Sequence, residues 1–319
     1  MLKWKYVVLG AALVGLIGAG VGWQVAKDWL LPVGEGLPWV LEIAPDGAWP
    51  EGAAAEQVQA ALALRGWQAR PGRYVFRGDE TGGDAARRVA SGEREAVRIV
   101  LPAHRDVGVI AGRIAEPLWI DSASVDAVLR ADSMRWRIRP NSYDLYWEVS
   151  AADVVKRIIY ESNQWWTEER RAQAQAWGLT PEEAVILASI VQEESAKLSE
   201  APRIAGLYLN RLRRGMLLQA DPTLKYAIGD WAIRRVVDAD KSVDSPYNTY
   251  QHKGLPPGPI RIPESAFVDA VLRAETHDYL YMCARPDDSG LHAFATSYAA
   301  HQRNAQAYRN MLNRRGVYR

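Results

Sequence analysis

The rhythm of apolar and polar positions changes twice along the 319 residues. Residues 6–26 (YVVLGAALVGLIGAGVGWQVA) carry no charge, and about 20 such residues in a helix cross the roughly 30 Å hydrocarbon layer of a bilayer. Residues 29–50 follow as a Pro- and Gly-punctuated tether. From there to about residue 118, short β-like runs alternate with short helical ones. Strands are predicted at Trp39–Ile43, 73–76 and Ala96–Leu101, and helices at 51–64, Gly82–Ser91 and 106–115. Beyond residue 150 a 3.6-residue period takes over, predicting helices at 151–161, 167–177, 180–195, 201–214, 266–274 and 297–315. A loop-rich stretch at 242–263 and a strand at 279–284 interrupt them. The expected fold class is α+β. Residues 1–5 form a cytoplasmic end and 6–26 a transmembrane helix. Residues 27–120 make a tether and small α+β subdomain, and 121–319 a larger, mainly helical α+β domain.

Charge flanking the first apolar run sets its orientation. Lys3, Lys5 and the amino group precede it, while Lys27 and Asp28 cancel each other after it. The positive-inside bias places the N-terminus in the cytoplasm and the rest beyond the inner membrane. A cleaved signal peptide is the competing reading, but its apolar region is typically about 7–15 residues and ends at a small-x-small site. WQVAKDWL offers no such site.

Composition removes several functions. Lys plus Arg number 39 against 38 Asp plus Glu, a net charge of +1, without the basic excess of a nucleic-acid-binding domain. Cys283 is the single cysteine, so neither an intramolecular disulfide nor a Cys-built zinc site is available. His104, His252, His277, His292 and His301 contain no HxH or HxxxH pair, and no metal or cofactor is expected.

One predicted helix carries candidate chemistry. Thr180-Pro181-Glu182-Glu183 reads as N-cap, first-turn proline and capping box. Val185, Ile186, Leu187, Ile190 and Val191 define an apolar stripe, with Glu194 roughly 20° from its centre and Glu193 about 80° away. Gln192 is nearly opposite, so Glu194 is the carboxyl expected to point where the helix packs. Burial raises a carboxyl pKa toward values useful to a general acid. The plainer reading ends the stripe at Val191 and leaves both glutamates in solvent, paired with Lys197 or Arg203.

Three loops could build a cleft around that carboxyl. Leu218–Thr223 (LQADPT) follows a helix closed by Arg211, Arg213, Arg214 and Gly215, and is polar and turn-forming. Next come Ser245-Pro246-Tyr247-Asn248-Thr249-Tyr250 and Gly254-Leu255-Pro256-Pro257-Gly258-Pro259-Ile260. Stiff loops with Tyr, Asn, Thr and Gln suit a carbohydrate, whose hydroxyls want partners and whose CH faces pack on aromatic rings. They read equally well as surface turns.

Taken together, LASIVQEES, IAGLYLNRLRRGMLLQADPT, SPYNTYQHKGLPPGPI, HDYLYMCA and LHAFATSYAAHQRN resemble the endolytic murein transglycosylases, the YceG-like family. The resemblance covers about residues 140–313 and extends weakly over 71–94, where the family carries a LysM-like subdomain. It departs from the signature at Gln192, where the family has a glutamate, and at Ser195. Pro140-Asn141-Ser142-Tyr143 is a further mild change. The resemblance implies that Glu194 is the catalytic carboxyl of a membrane-anchored, single-carboxylate lytic transglycosylase. Its substrate would be the peptidoglycan glycan strand, cut within the strand at MurNAc–GlcNAc β-1,4 bonds to leave 1,6-anhydroMurNAc ends. Gln219, Asp221, Tyr247, Asn248 and Tyr250 are the candidate substrate-binding residues, and Asp221 reads equally as a turn residue before Pro222. The implied setting is the bacterial cytoplasmic membrane, beside cell-wall synthesis proteins. A hydrolytic muramidase and a non-catalytic glycan-binding scaffold are the alternatives.

Overall fold

The computed structural model describes residues 22–25, 27–33, 37–233 and 236–315. Most of the apolar run at 6–26 lies outside them. Among the described residues, no helix is long and apolar enough to cross a membrane.

Elements follow in the order β1 (Trp39–Ile43), α1 (Ala53–Arg65), β2 (Gly72–Phe76), α2 (Gly82–Ser91), β3 (Ala96–Leu101), α3 (Val107–Ala115), α4 (Ser122–Leu129), α5 (Asp132–Arg135) and β4 (Asn141–Tyr146). Then come α6 (Ala151–Trp165), α7 (Glu168–Ala176), α8 (Pro181–Glu194), α9 (Ala201–Arg213), α10 (Asp221–Ile228), α11 (Ser265–Leu272), β5 (Tyr281–Ala284), β6 (His292–Ala295) and α12 (Tyr298–Arg314). The strands form two-stranded pairs, β1–β2, β3–β4 and β5–β6. Helices and small strand pairs make this a mixed α+β chain.

Two compact units interleave along the sequence. One comprises Met1–Ile99, Ala115–Asp121 and Asp144–Ser150; the other Val100–Ile114, Ser122–Tyr143 and Ala151–Arg319. In the first, β1 and β2 are antiparallel with Leu41 opposite Tyr74 and Ile43 opposite Gly72. Period-2 alternation turns Leu41, Ile43, Tyr74 and Phe76 inward. They bury against Val58 and Leu62 of α1 and Ala85 and Val89 of α2.

The second unit is built around α8. Thr180 caps it: its hydroxyl accepts from the Glu183 N–H at 3.2 Å, and the Glu183 carboxylate accepts from the Thr180 N–H at 2.8 Å. Pro181 fills the first turn, where its missing N–H costs nothing. Every residue from Ala184 to Gln192 is buried, because α7, α9, α10 and α11 all pack on this helix. The stripe is therefore one face of a fully enclosed helix, as expected for a segment apolar on most sides.

That enclosure corrects the expectation for Gln192. It lies inside, donating to Glu264 Oε1 at 3.1 Å and accepting from the Glu264 N–H at 2.9 Å. A carboxylate at position 192 would face another carboxylate, so the amide supplies the donor this contact needs. The turn-forming stretch expected at 218–223 runs into a helix that begins at Asp221. Pro222 is tolerated in its first turn and Gly229 closes it in the left-handed conformation, φ 79°. The 122–146 region, without a strong period, holds α4, α5 and β4.

Ser189 ties the proline-rich loop to α8. Its hydroxyl donates to the Ile186 carbonyl at 2.7 Å and accepts from the Ile260 N–H at 3.1 Å, both fully buried. Replacing Ser189 with Ala strands that N–H, and a buried unsatisfied donor costs about 1–3 kcal/mol. Chemical denaturation should show S189A losing stability in that range; a loss under about 0.5 kcal/mol, the level of an ordinary surface change, would contradict the anchoring role.

Candidate functional site

Glu194 is the last residue of α8. It opens onto a cavity of about 370 Å³, within the size range of small-ligand sites. Tyr208 and Arg211 of α9, Asp221 at the start of α10, Tyr250, His292 of β6 and His301 of α12 line it with Glu194. Five segments far apart in sequence thus converge on one carboxyl.

The side chain of Glu194 keeps some surface toward the cavity, but the protein packed around its carboxyl excludes bulk water. That burial is the largest influence and pushes the pKa up to about 7. The Tyr208 hydroxyl, donating to Glu194 Oε1 at 2.6 Å, pulls the other way, as do His292 and Arg211; the Asp221 carboxylate raises it further. Burial, then the adjacent Glu194, holds the Tyr208 phenol well above its usual range. Tyr208 therefore stays a donor whichever state Glu194 adopts.

Neighbouring Glu193 is treated differently. Its side chain is only 5% exposed, which corrects the expectation that Glu194 alone packs. Arg105 grips it bidentately, Nε to Oε1 at 2.9 Å and Nη2 to Oε2 at 2.7 Å, and Arg261 Nη1 reaches Oε1 at 2.7 Å. Two guanidinium groups neutralise Glu193, so the buried carboxyl free of a cation partner at hydrogen-bond distance is Glu194. Neither glutamate pairs with Lys197 or Arg203; Arg203 instead pairs with Glu275 at 2.8 Å.

Among the other expected residues, three reach the cavity and two do not. Tyr250 donates its hydroxyl to Asp221 Oδ1, and burial followed by that carboxylate raises its pKa. Asp221 is exposed and opens α10, and it forms part of the cavity wall. Gln219 also lines the cavity, its backbone at φ 50° and its N–H on the Thr249 carbonyl at 3.1 Å. Asn248, by contrast, is fully buried and absent from the lining. Its amide donates to the carbonyls of Lys241 and Val243 at 3.0 and 2.8 Å and accepts from the Tyr250 N–H at 3.0 Å. It shapes the loop that carries Tyr250. Tyr247 turns elsewhere, accepting from Arg135 at 3.0 Å and packing on Tyr226 with ring centroids 4.6 Å apart.

Several lining residues escaped the sequence reading. Arg211, read from the sequence only as a basic residue closing its helix, is 8% exposed. It donates to the carbonyls of Leu280 and Leu218, each at 2.6 Å. Tyr208 and Arg211 are three apart on α9 and so share one face of it, and that spacing was the available signal. His292 and Glu200 had none, since only the fold brings them together. Glu200, 6% exposed, accepts from the His292 N–H at 2.8 Å and faces its Nδ1 at 3.0 Å. Facing a carboxylate, Nδ1 carries the proton, which fixes how the ring presents itself to the cavity. Cys283 is half-buried on the cavity wall, and burial raises its thiol pKa, so it is no ready nucleophile.

Because burial raises the Glu194 pKa from 4.5 to about 7, the folded state binds its proton more tightly than the unfolded one. The stability this contributes is full below the unfolded pKa and is lost as pH rises through the folded one. E194Q removes the titration, so its stability relative to wild type should grow by up to about 1.4 kcal/mol per pH unit between those values. Thermal melts at pH 5 and pH 8 test this; a difference unchanged between the two would contradict a raised pKa.

Comparison with known proteins identifies relatives of this chain. Bacillus subtilis (strain 168) has an endolytic murein transglycosylase 31% identical over 166 residues, covering 52% of this chain and 45% of that protein. The endolytic murein transglycosylase of Streptococcus pneumoniae serotype 2 is 33% identical over 136 residues, 41% of this chain and 24% of that protein. The matched region is thus less than half the length of either relative. A crystal structure of a YceG-like protein from Listeria monocytogenes shares the fold, with a TM-score of 0.53 and 22% identity over 83% of this chain and 98% of that one. The sequence model of the YceG-like family matches residues 50–307, and the chain belongs to that family.

Proposed function

We propose that this chain is an endolytic lytic transglycosylase of peptidoglycan, with Glu194 as its acid and base. The observation that carries the reading is the carboxyl at the end of α8, hydrogen-bonded by Tyr208 at 2.6 Å and opening on a polar cavity, where enclosure pushes its pKa up to about 7. A general acid works best when its pKa lies near the working pH. Protonated Glu194 gives its proton to the glycosidic oxygen of the leaving GlcNAc as the C1–O bond of MurNAc breaks. The carboxylate so formed takes the proton of the MurNAc C6 hydroxyl as O6 bonds to C1. Glu194 is thereby reprotonated, and the product carries a 1,6-anhydro ring with no water consumed. Positive charge developing at C1 is met by the Glu194 and Asp221 carboxylates and by the oriented Tyr208 and Tyr250 hydroxyls. In this reading, residues 6–26 anchor the chain in the cytoplasmic membrane with the catalytic domain outside, and the first unit plays the LysM-like part.

Asp221 favours one other reading. A second carboxylate in the same cavity could activate a water, as in glycosidases that pair an acid with a base. The hydrolysed end would then be heavier by one water than the anhydro end. Mass spectrometry of products from uncrosslinked glycan strands separates the two. The expected result is internal cuts with anhydroMurNAc ends, lost in E194Q by at least about 100-fold, the scale of a general acid's contribution. Reducing MurNAc ends would move the chain to the hydrolases. Intact strands that still bind would leave a scaffold.

The pH profile follows from the same carboxyl. The acid must be protonated, so kcat should fall as pH rises through about 7. Removing the Tyr208 hydroxyl takes away an interaction that lowers this pKa, so Y208F should move the alkaline limb to higher pH. A limb that stays fixed or moves lower would overturn the assignment of Tyr208.

A further inference from the structure

A second cavity lies on the Glu193 flank of α8. Its volume is about 840 Å³, and Arg105, Arg130, Arg135 and Arg261 line it, with His104, Asp106, Tyr226 and Trp231. The charges do not cancel. Glu193 is shared by Arg105 and Arg261, while Arg130 pairs with Asp126 at 2.5 Å and lies 3.9 Å from Asp106. Among the described residues, the partners of Arg135 are neutral: the Tyr247 hydroxyl at 3.0 Å, the Pro259 carbonyl at 2.5 Å and the Tyr226 ring, 5.3 Å from the guanidinium. Arg261 keeps a buried Nε with no hydrogen-bond partner among the described residues. A guanidinium answered only by neutral groups, beside an unsatisfied donor, favours an anion. The guanidinium fork suits a carboxylate in particular. Aromatic walls complete the enclosure: Trp231 lies under Arg105 at 4.6 Å, and Tyr226 meets Trp231 edge-on with centroids 6.3 Å apart.

We propose that this arginine-lined cavity binds the carboxylates of the peptide arm carried by the glycan strand, so that the chain distinguishes peptide-bearing strands from bare ones. The proposal rests on the peptidoglycan reading of the Glu194 cavity. Glu193 and Glu194 are consecutive, their Cα atoms about 3.8 Å apart, and a five-residue peptide extends about 17 Å. An arm on the lactyl group of a MurNAc ring held at Glu194 therefore reaches around the end of α8. Arg135 would hold the arm's carboxylate and Trp231 its apolar atoms, leaving Glu194 to the chemistry.

The test uses the full chain and R135Q, which keeps a donor for Tyr247 and Pro259 but removes the charge. Calorimetry with a free stem tetrapeptide measures the cavity without requiring cleavage. Kinetics on peptide-bearing strands and on strands stripped by an amidase measures discrimination. Charge-assisted hydrogen bonds of about 1.5 kcal/mol and more imply that R135Q weakens tetrapeptide binding roughly tenfold. KM for peptide-bearing strands should rise by a similar factor, with kcat and the KM for stripped strands unchanged. Equal losses on both substrates, or no loss on either, would overturn the proposal. So would inorganic phosphate binding tighter than the peptide. If R135Q does not fold, W231L, which removes the ring proposed to pack on the arm's apolar atoms, carries the same test with losses in the same direction. Peptide binding that depends on the arginine, without strand cleavage by wild type, would uphold this cavity and sink the transglycosylase reading instead.

Discussion

Two consecutive carboxyl groups end a helix that is buried on every side, and the surrounding protein has to accommodate both. Ionising a carboxylate away from water costs several kcal/mol unless a partner compensates it. Glu193 is compensated by two guanidinium groups. Glu194 has a phenol donor and a cavity instead, so part of the cost is removed by holding on to the proton. The same helix thus carries a carboxylate gripped by two guanidinium groups and a carboxyl that faces a cavity, about 100° apart on its surface. The chemistry proposed for this protein depends on that asymmetry.

The asymmetry is assembled from distant parts. Arg105 precedes Glu193 by 88 residues and Arg261 follows it by 68, while Tyr208 comes from the next helix. The hydroxyl of Ser189 fixes the proline-rich loop at Ile260, next to the Arg261 that grips Glu193. Stiff loop, helix end and arginine clamp therefore form one connected structure. Arg211 contributes in a second way: its guanidinium ties the carbonyls of Leu218 and Leu280, joining the start of the Asp221 segment to the β5–β6 hairpin that bears His292.

Local signals in the sequence carried much of this. The capping box and first-turn proline marked the start of α8, and period-2 and 3.6 patterns located most strands and helices within a few residues. Periodicity also separated Glu194 from Glu193, but for an incomplete reason. It assumed one buried face, whereas a helix surrounded by four others buries all of them, and the difference between the glutamates comes from their partners. Burial likewise moved Asn248 from candidate ligand to loop support, because a short polar side chain can satisfy its own loop's carbonyls as readily as a substrate. Tyr208, Arg211, His292 and Glu200 were hard to see since each acquires its role only through contacts set by the tertiary fold.

The central claim is that Glu194 holds its proton near neutrality. Carboxyl carbon NMR of protein labelled at glutamate, titrated from pH 3 to 9 with E194Q as the assignment control, measures this directly. The account predicts that one resonance, absent from the variant, titrates with a midpoint near 7. A Glu194 midpoint near the ordinary 4.5 would contradict it, because the carboxyl would then be ionised at the pH where it is asked to act as an acid.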